Sequence, residues 1–448
     1  MLALLLIAQA VQPVPVPADS TLRTPLPDPP GQPAPEGPVL PLAEALRAAR
    51  EQAPDLAVAA ERVEQARNNV QRAWAALQPT LTATGTYTYN SIKNFLNSGP
   101  PLYQYTADGH DTKSGTLAFA WNLFNMRAFP ALATARQQVD IAQLTETQQR
   151  SELLLSVAST YYSGLSLREL MTVSFAQARA THDHARDALA RYEAGLVHRS
   201  AALRARIDAL RADQEAQRAI FSYAAAKSQL AALLDRRDVA FELAPPQQAP
   251  KEIRGAFGEL MEKALRERPE MAAARANEEI AARLKTDAWA QFLPTLALNA
   301  NARYNDPATT FTGDKGAWSI AVALTLPLYD GGFRYAALKD ADSQLRQAKA
   351  QTRGQTARIE DELRRARLDL ESARTLRDEA EATLLVSREN ERLVRAQFDA
   401  GTASQVEVSD AVAALFQSES NVLQQRLSVQ LAALRVAKAV GAFDVRAN

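Results

Sequence analysis

The chain repeats itself once, and this repetition limits the folds open to it more than any other feature. Pro54, Trp74, Pro79, Leu81, Tyr89 and Asn90 recur as Pro269, Trp289, Pro294, Leu296, Tyr304 and Asn305, each pair 215 residues apart. Two of only four tryptophans share that offset, which chance does not readily supply. Beyond a loop the offset falls to about 206, where Leu123-Phe124-Asn125 meets Leu328-Tyr329-Asp330 and Tyr192-Glu193-Ala194-Gly195 meets Phe398-Asp399-Ala400-Gly401. The first copy carries the longer loop, residues 91–115. Residues 41–237 and 254–442 therefore read as tandem copies of one unit, with a proline-containing linker at 238–253 and a tail at 443–448. A period this long excludes a solenoid, whose repeats run roughly 20–50 residues.

Each copy reads helix, strand, strand, long helix, helix. No proline interrupts Ala131 to Ala194 or Tyr335 to Ala400. Apolar residues recur there at three- and four-residue steps, as in Ile359, Leu363, Ala366, Leu370 and Ala373. At 1.5 Å per residue each run would span roughly 100 Å. Gly164 and Gly354 lie inside these runs and mark sites for a bend. Gly195 and Gly401 close them, and shorter helices return over about residues 200–235 and 404–440. A hairpin of that length is expected to have no globular core of its own and to pack against copies of itself. The apolar fraction of 47%, mostly alanine and leucine, agrees with long helices.

Between the short and long helices the period changes to two, as expected for half-buried strands at about 80–90, 116–124, 295–305 and 317–328. In the first, Leu81, Ala83, Gly85, Tyr87 and Tyr89 share a face and five threonines the other. The second sets Leu117, Phe119, Trp121 and Leu123 against Thr116, Ala118, Ala120 and Asn122. The third sets Leu296, Leu298, Ala300, Ala302 and Tyr304 against Asn299, Asn301, Arg303 and Asn305. The fourth sets Trp318, Ile320, Val322, Leu324, Leu326 and Leu328 against Ser319, Ala321, Ala323 and Thr325. Such lengths suit tilted strands in a bilayer, with Leu81, Tyr87, Phe119, Trp121, Leu298, Trp318, Ile320, Val322 and Leu324 toward lipid. Four strands cannot close a barrel, and open edges are not tolerated in hydrocarbon, so several chains must pool theirs. The alternative is a pair of soluble hairpins packed against helices.

The chain ends and the composition narrow the functional classes. Residues 1–10 hold an apolar run ending in Ala8-Gln9-Ala10, which reads as a signal peptide. Residues 11–40 are proline-rich and read as an extended arm. No apolar stretch reaches the ~18 residues of a membrane helix. Lys plus Arg and Asp plus Glu are 51 each, so nothing favours nucleic acid. Without cysteine there are no disulfides and no thiolate metal sites. Of His110, His182, His184 and His198, the close pair at 182 and 184 points to different faces of a helix, so no metal site is expected. No phosphate-binding glycine loop, nucleophile elbow or paired-carboxylate motif appears, and neither an enzyme nor a cofactor is expected.

The two copies, the segments LPLYDGG at 326–332 and ASTYYSGL at 158–165, and the RYEAG and QFDAG turns together resemble the TolC-like outer-membrane efflux proteins over nearly the full chain after the arm. The resemblance implies a mainly α fold with a membrane β-barrel portion. It implies a homotrimer with twelve shared strands in the outer membrane and a periplasmic helical tunnel. Partners would be a periplasmic adaptor and an inner-membrane pump or secretion ATPase. The reversals Gly195-Leu196-Val197 and Gly401-Thr402-Ala403 would then face that machinery and dock the adaptor. The family pattern has carboxylates shortly before the second tip, where this chain has Arg392 and Arg395 as well as Asp399. Two readings stand for the arginines: they line the periplasmic entrance, or they pair with Glu389, Glu391 or a neighbouring helix. The rival from another class is a periplasmic coiled-coil adaptor or structural rod, which would need one hairpin and a compact β-domain.

Overall fold

The computed structural model describes residues 22, 26–34, 37–89, 95–97, 104–106, 111–245, 253–308 and 314–442. The apolar run at 1–10, His110 and the tail at 443–448 lie outside these residues. The first half runs β1 (Val39–Leu40), α1 (Leu42–Gln52), α2 (Pro54–Ala75), β2 (Thr80–Tyr89), a short pair β3 (Phe95–Asn97) and β4 (Gln104–Thr106), β5 (Asp111–Phe124), α3 (Ala128–Glu193) and α4 (Arg199–Leu233). The second half runs β6 (Glu242–Leu243), α5 (Phe257–Glu267), α6 (Pro269–Ala290), β7 (Thr295–Asp306), β8 (Gly316–Thr325), α7 (Phe333–Asp399) and α8 (Gln405–Ala439). Helices α1 and α5 are 11 residues each, α2 and α6 are 22, and α4 and α8 are 35. Pro54 and Pro269 open α2 and α6, at a position where the missing N–H breaks no helical bond.

The long helices α3 and α7 hold 66 and 67 residues, and their helical hydrogen bonding runs unbroken through Gly164 and Gly354. Gly164 has another role. A Cβ there would lie 2.6 Å from Cδ1 of Leu243, so the missing side chain is what lets β6 reach the helix. The linker is thus more than a connection. Phe241 and Leu243 are buried, and β6 pairs in parallel with β1, the end of the proline-rich arm.

This corrects the expectation of a hairpin without a core. Tyr161, Phe175, Leu154, Leu230, Leu234, Phe241 and Leu243 form a buried cluster where α1, β1 and β6 wrap the middle of the α3–α4 hairpin. The Tyr161 hydroxyl lies 2.7 Å from the Leu40 carbonyl and 2.8 Å from that of Ala244, and it also accepts the Ala244 N–H at 3.1 Å. One fully buried phenol therefore ties the arm and the linker to α3. In the second half the buried Arg268 reaches Glu270 and Glu362 at 3.1 and 2.7 Å, joining the α5–α6 junction to α7.

Strands β2, β5, β7 and β8 form one antiparallel sheet in that order. Two boundaries differ from those expected at 116–124 and 317–328. β5 begins at Asp111, because the polar run Asp111-Thr112-Lys113-Ser114 pairs with Thr86–Tyr89 without any apolar alternation to announce it. β8 ends at Thr325, because Pro327 has no N–H to give a ladder, which leaves Leu326 and Leu328 outside the strand.

Candidate functional site: the strand sheet and the hairpin tips

Register decides what the sheet presents. Leu81, Phe119, Ala300 and Ile320 lie in one row across the four strands, with Ala83, Leu117, Ala302 and Trp318 in the next row on the same face. Trp121, Leu298 and Val322 follow, then Leu296 beside Leu324. The opposite face stacks Thr80, Ala120, Asn299 and Ala321, then Thr82, Ala118, Asn301 and Ser319. The alternations of four separate strands thus fall into phase, apolar with apolar and polar with polar. One residue departs from this. A bulge between Asn122 and Phe124 sets Phe124, rather than Leu123, opposite Leu296.

Among the described residues of one protomer, nothing covers the apolar face. Leu81 is 66% exposed, Trp318 76%, Val322 64% and Leu324 71%. Tyr87, Phe119, Trp121, Leu298 and Ile320 belong to the same face, and the outer edges of β2 and β8 are unpaired. None of the described helices is long and apolar enough to cross a membrane.

The segment from Leu326 to Gly332 turns the chain from sheet to helix. After Pro327 stops β8, the Asp330 carboxylate accepts N–H groups of Gly332 and Arg334 at 3.1 and 3.2 Å, capping α7, and pairs with the Arg334 side chain at 2.7 Å. These bonds, the one from Arg334 foremost, hold the Asp330 carboxyl below the usual carboxylate range. Gly331 and Gly332 take φ of 69° and 91°.

At the far end of the hairpins Gly195 and Gly401 adopt φ of 73° and 79°, the left-handed conformation that closes a helix. Both tips use the same double bond pattern. Gly195 and Leu196 donate to the carbonyls of Tyr192 and Arg191, and Gly401 and Thr402 donate to those of Phe398 and Gln397. The Leu196 side chain is 74% exposed. Val197 and Ala403 complete the two reversals, and Ser404 with Glu407 forms a capping box that starts α8.

The two tips are also joined to each other. The Arg191 guanidinium stacks 4.2 Å from the Phe398 ring, donates to the Phe398 carbonyl at 3.2 Å and pairs with Asp399 at 3.4 Å. Two turns back, Arg395 of α7 donates to Nε2 of His184 on α3 at 2.9 Å and lies 3.6 Å from Glu391. Arg392 binds Glu389 at 2.6 Å and is two-thirds exposed. The expected alternative partners of both arginines, Glu389 and Glu391, are thus in place within the chain. Sequence reasoning missed Arg191 and His184 as partners. In the repeat Arg191 aligns with the neutral Gln397, and no pattern links residues 184 and 395.

His184 is buried, and burial first, then Arg395, lowers its pKa. His182, facing the other way, is buried against Asp213 of α4 at 2.9 Å. No cluster of three metal-ligating side chains occurs among the described residues.

The profile of the family described as "Outer membrane efflux protein" matches residues 45–236 and 260–442, most of both halves. The chain belongs to that family. The outer membrane protein TolC of Vibrio cholerae serotype O1 is 24% identical to it over 422 residues, covering 90% of this chain and 91% of the relative. The Vibrio cholerae outer membrane protein VceC superposes with a TM-score of 0.72 at 21% identity, over 89% of this chain and 96% of its own. The Campylobacter jejuni CmeC outer membrane channel superposes with a TM-score of 0.76 at 15% identity, over 90% and 85%. Such likenesses fix the fold as a helical barrel joined to a shared β-barrel. This efflux protein is an outer-membrane channel subunit with a long periplasmic portion. Channels of the family are trimeric and work with periplasmic adaptors and inner-membrane pumps.

Proposed function

We propose that three copies of this chain join β8 of one to β2 of the next, turn their apolar faces to the lipid of the outer membrane, and give solutes an exit duct through a water-filled lumen lined by the threonine and asparagine face. The observation that carries this reading is the sheet itself, in which four strands are in phase with apolar and polar faces apart and two edges unpaired. The strand directions alternate, so joining β8 to a second β2 continues the antiparallel order, and twelve strands close without an edge.

The tips Gly195-Leu196-Val197 and Gly401-Thr402-Ala403 would dock the adaptor, being the chain reversals remote from the barrel. Arg392, Arg395 and Asp399 would stand at the periplasmic entrance. Transport through such a duct calls for no catalytic group, and the known relatives are channels. A periplasmic rod or adaptor is disfavoured, because an uncovered apolar sheet of four strands has no place in water.

The test is fractionation and extraction. The mature protein should sediment with outer membranes and leave them in mild detergent as a trimer. Recovery of a monodisperse monomer from the soluble periplasm would refute the reading.

A further inference from the structure

Over the described positions of its four strands, the polar face of the sheet carries one charge. Its described positions on β2 are Thr80, Thr82, Thr84, Thr86 and Thr88. The rest are threonine, serine, alanine and asparagine on β5, β7 and β8, apart from Arg303. Arg303 lies in the row Thr84, Thr116, Arg303, Ala317, so its immediate neighbours across the strands are small and uncharged. It makes no ion pair and no side-chain hydrogen bond among the described residues. At the loop end, Lys113 stands opposite Asp306 in the alternate row, and Lys315, paired with Asn305 just beyond β8 on the polar side, is neutralised by Asp306 at 2.7 Å.

We propose that Arg303 sets the charge preference of the membrane section of the pore, favouring anionic over cationic solutes at the exit; this rests on the reading that the polar face lines the lumen. Twelve strands spaced about 4.8 Å apart and tilted about 40° enclose a barrel of roughly 12 Å radius. An extended arginine reaching inward brings its charge to within about one Debye length, ~8 Å, of the axis at physiological ionic strength. Three such charges act on every ion that passes, with no carboxylate among the described strand positions of the same face to cancel them. The position is eight residues along β7 from its helix-side end, hence in the outer half of the barrel. Its equivalent in the first repeat is Thr88, so threefold symmetry yields three guanidinium groups rather than six, and threonine is a residue this strand position already accepts.

The experiment uses purified trimers in planar bilayers under a potassium chloride gradient. Arg303→Thr should lower the chloride-to-potassium permeability ratio about threefold in 0.15 M salt and much less in 1 M, where charges are screened within ~3 Å. The chain has no cysteine, so Arg303→Cys offers a single thiol. A membrane-impermeant cationic thiosulfonate should restore the wild-type ratio, and an anionic one should lower it below that of Arg303→Thr. Complete labelling by both reagents with one unchanged reversal potential would overturn the proposal while leaving the lumen assignment intact. A thiol that neither reagent reaches in open channels would overturn both. If Arg303→Cys fails to assemble, Arg303→Thr decides, and an unchanged ratio at 0.15 M refutes the proposal.

Discussion

Replacing Val322 with arginine should prevent assembly, whereas the same change at the adjacent Ala323 should be tolerated. β8 spans ten residues, Gly316 to Thr325. At about 3.4 Å per residue and a tilt near 40° it rises some 26 Å, close to the ~25 Å apolar band of an outer-membrane barrel. The strand midpoint falls between Ile320 and Ala321, so Val322 lies only about 4 Å from the bilayer midplane. There an arginine on the lipid face costs about 2–4 kcal/mol per chain, or about 6–12 kcal/mol for a trimer. Per chain that is a roughly 30- to 900-fold shift against insertion. Val322 stands opposite Leu298 and is 64% exposed, so no protein group shelters the new charge. Ala323, at nearly the same depth, stands opposite Ala297 on the polar face. The assay is the fraction of each variant recovered as trimer from outer membranes at matched expression. Equal recovery of Val322→Arg and Ala323→Arg would show that the two faces are assigned the wrong way round.

Three further outcomes are expected. Gly195→Trp and Gly401→Trp should abolish export and leave the trimer in the membrane; export surviving in both would exclude the tips as a close-fitting docking surface. The Arg392→Ala, Arg395→Ala double variant should make the channel more cation-selective in a salt gradient, and an unchanged ratio removes both residues from the pore. Burial, then Arg395, lowers the pKa of His184 in the fold, so below about pH 6.5 the unfolded chain binds more protons there than the folded one. Its contribution to stability should therefore be full above that pH and decline as the pH falls toward the lowered value. His184→Gln should flatten the pH dependence of the trimer's thermal dissociation between pH 7 and 5.

The periodic parts of the fold were legible because they obey local rules. Proline-free runs ending in glycine located α3 and α7 to within a few residues, and the change of period located the four strands. What escaped depends on non-local approach. A two-residue strand such as β1 or β6 has no period, so the pairing of arm with linker left no trace except Gly164, whose missing side chain reads as a flexible point until Leu243 is seen against it. The bulge that exchanges Leu123 for Phe124 depends on the partner strand. At the tips, glycine spacing located the reversals, while the Arg191–Asp399 and His184–Arg395 contacts join residues more than 200 positions apart, which only the packed hairpins bring together.

The in-chain pairing of β5 with β7 also bears on how such a tube is put together. That seam joins the two duplicated hairpins, and the seam between β8 and the next chain's β2 would be its counterpart. A single-repeat ancestor would have had to gather six separate polypeptides to close the ring. Fusion makes every second seam intramolecular, where the partner is present at the high effective concentration of a tether, and reduces closure to a meeting of three. It also frees the halves to diverge, since a substitution in one half appears three times around the ring instead of six. The lone arginine at 303 against Thr88, and a capping box at one tip against His198 at the other, are differences that a sixfold assembly of identical units could not have held.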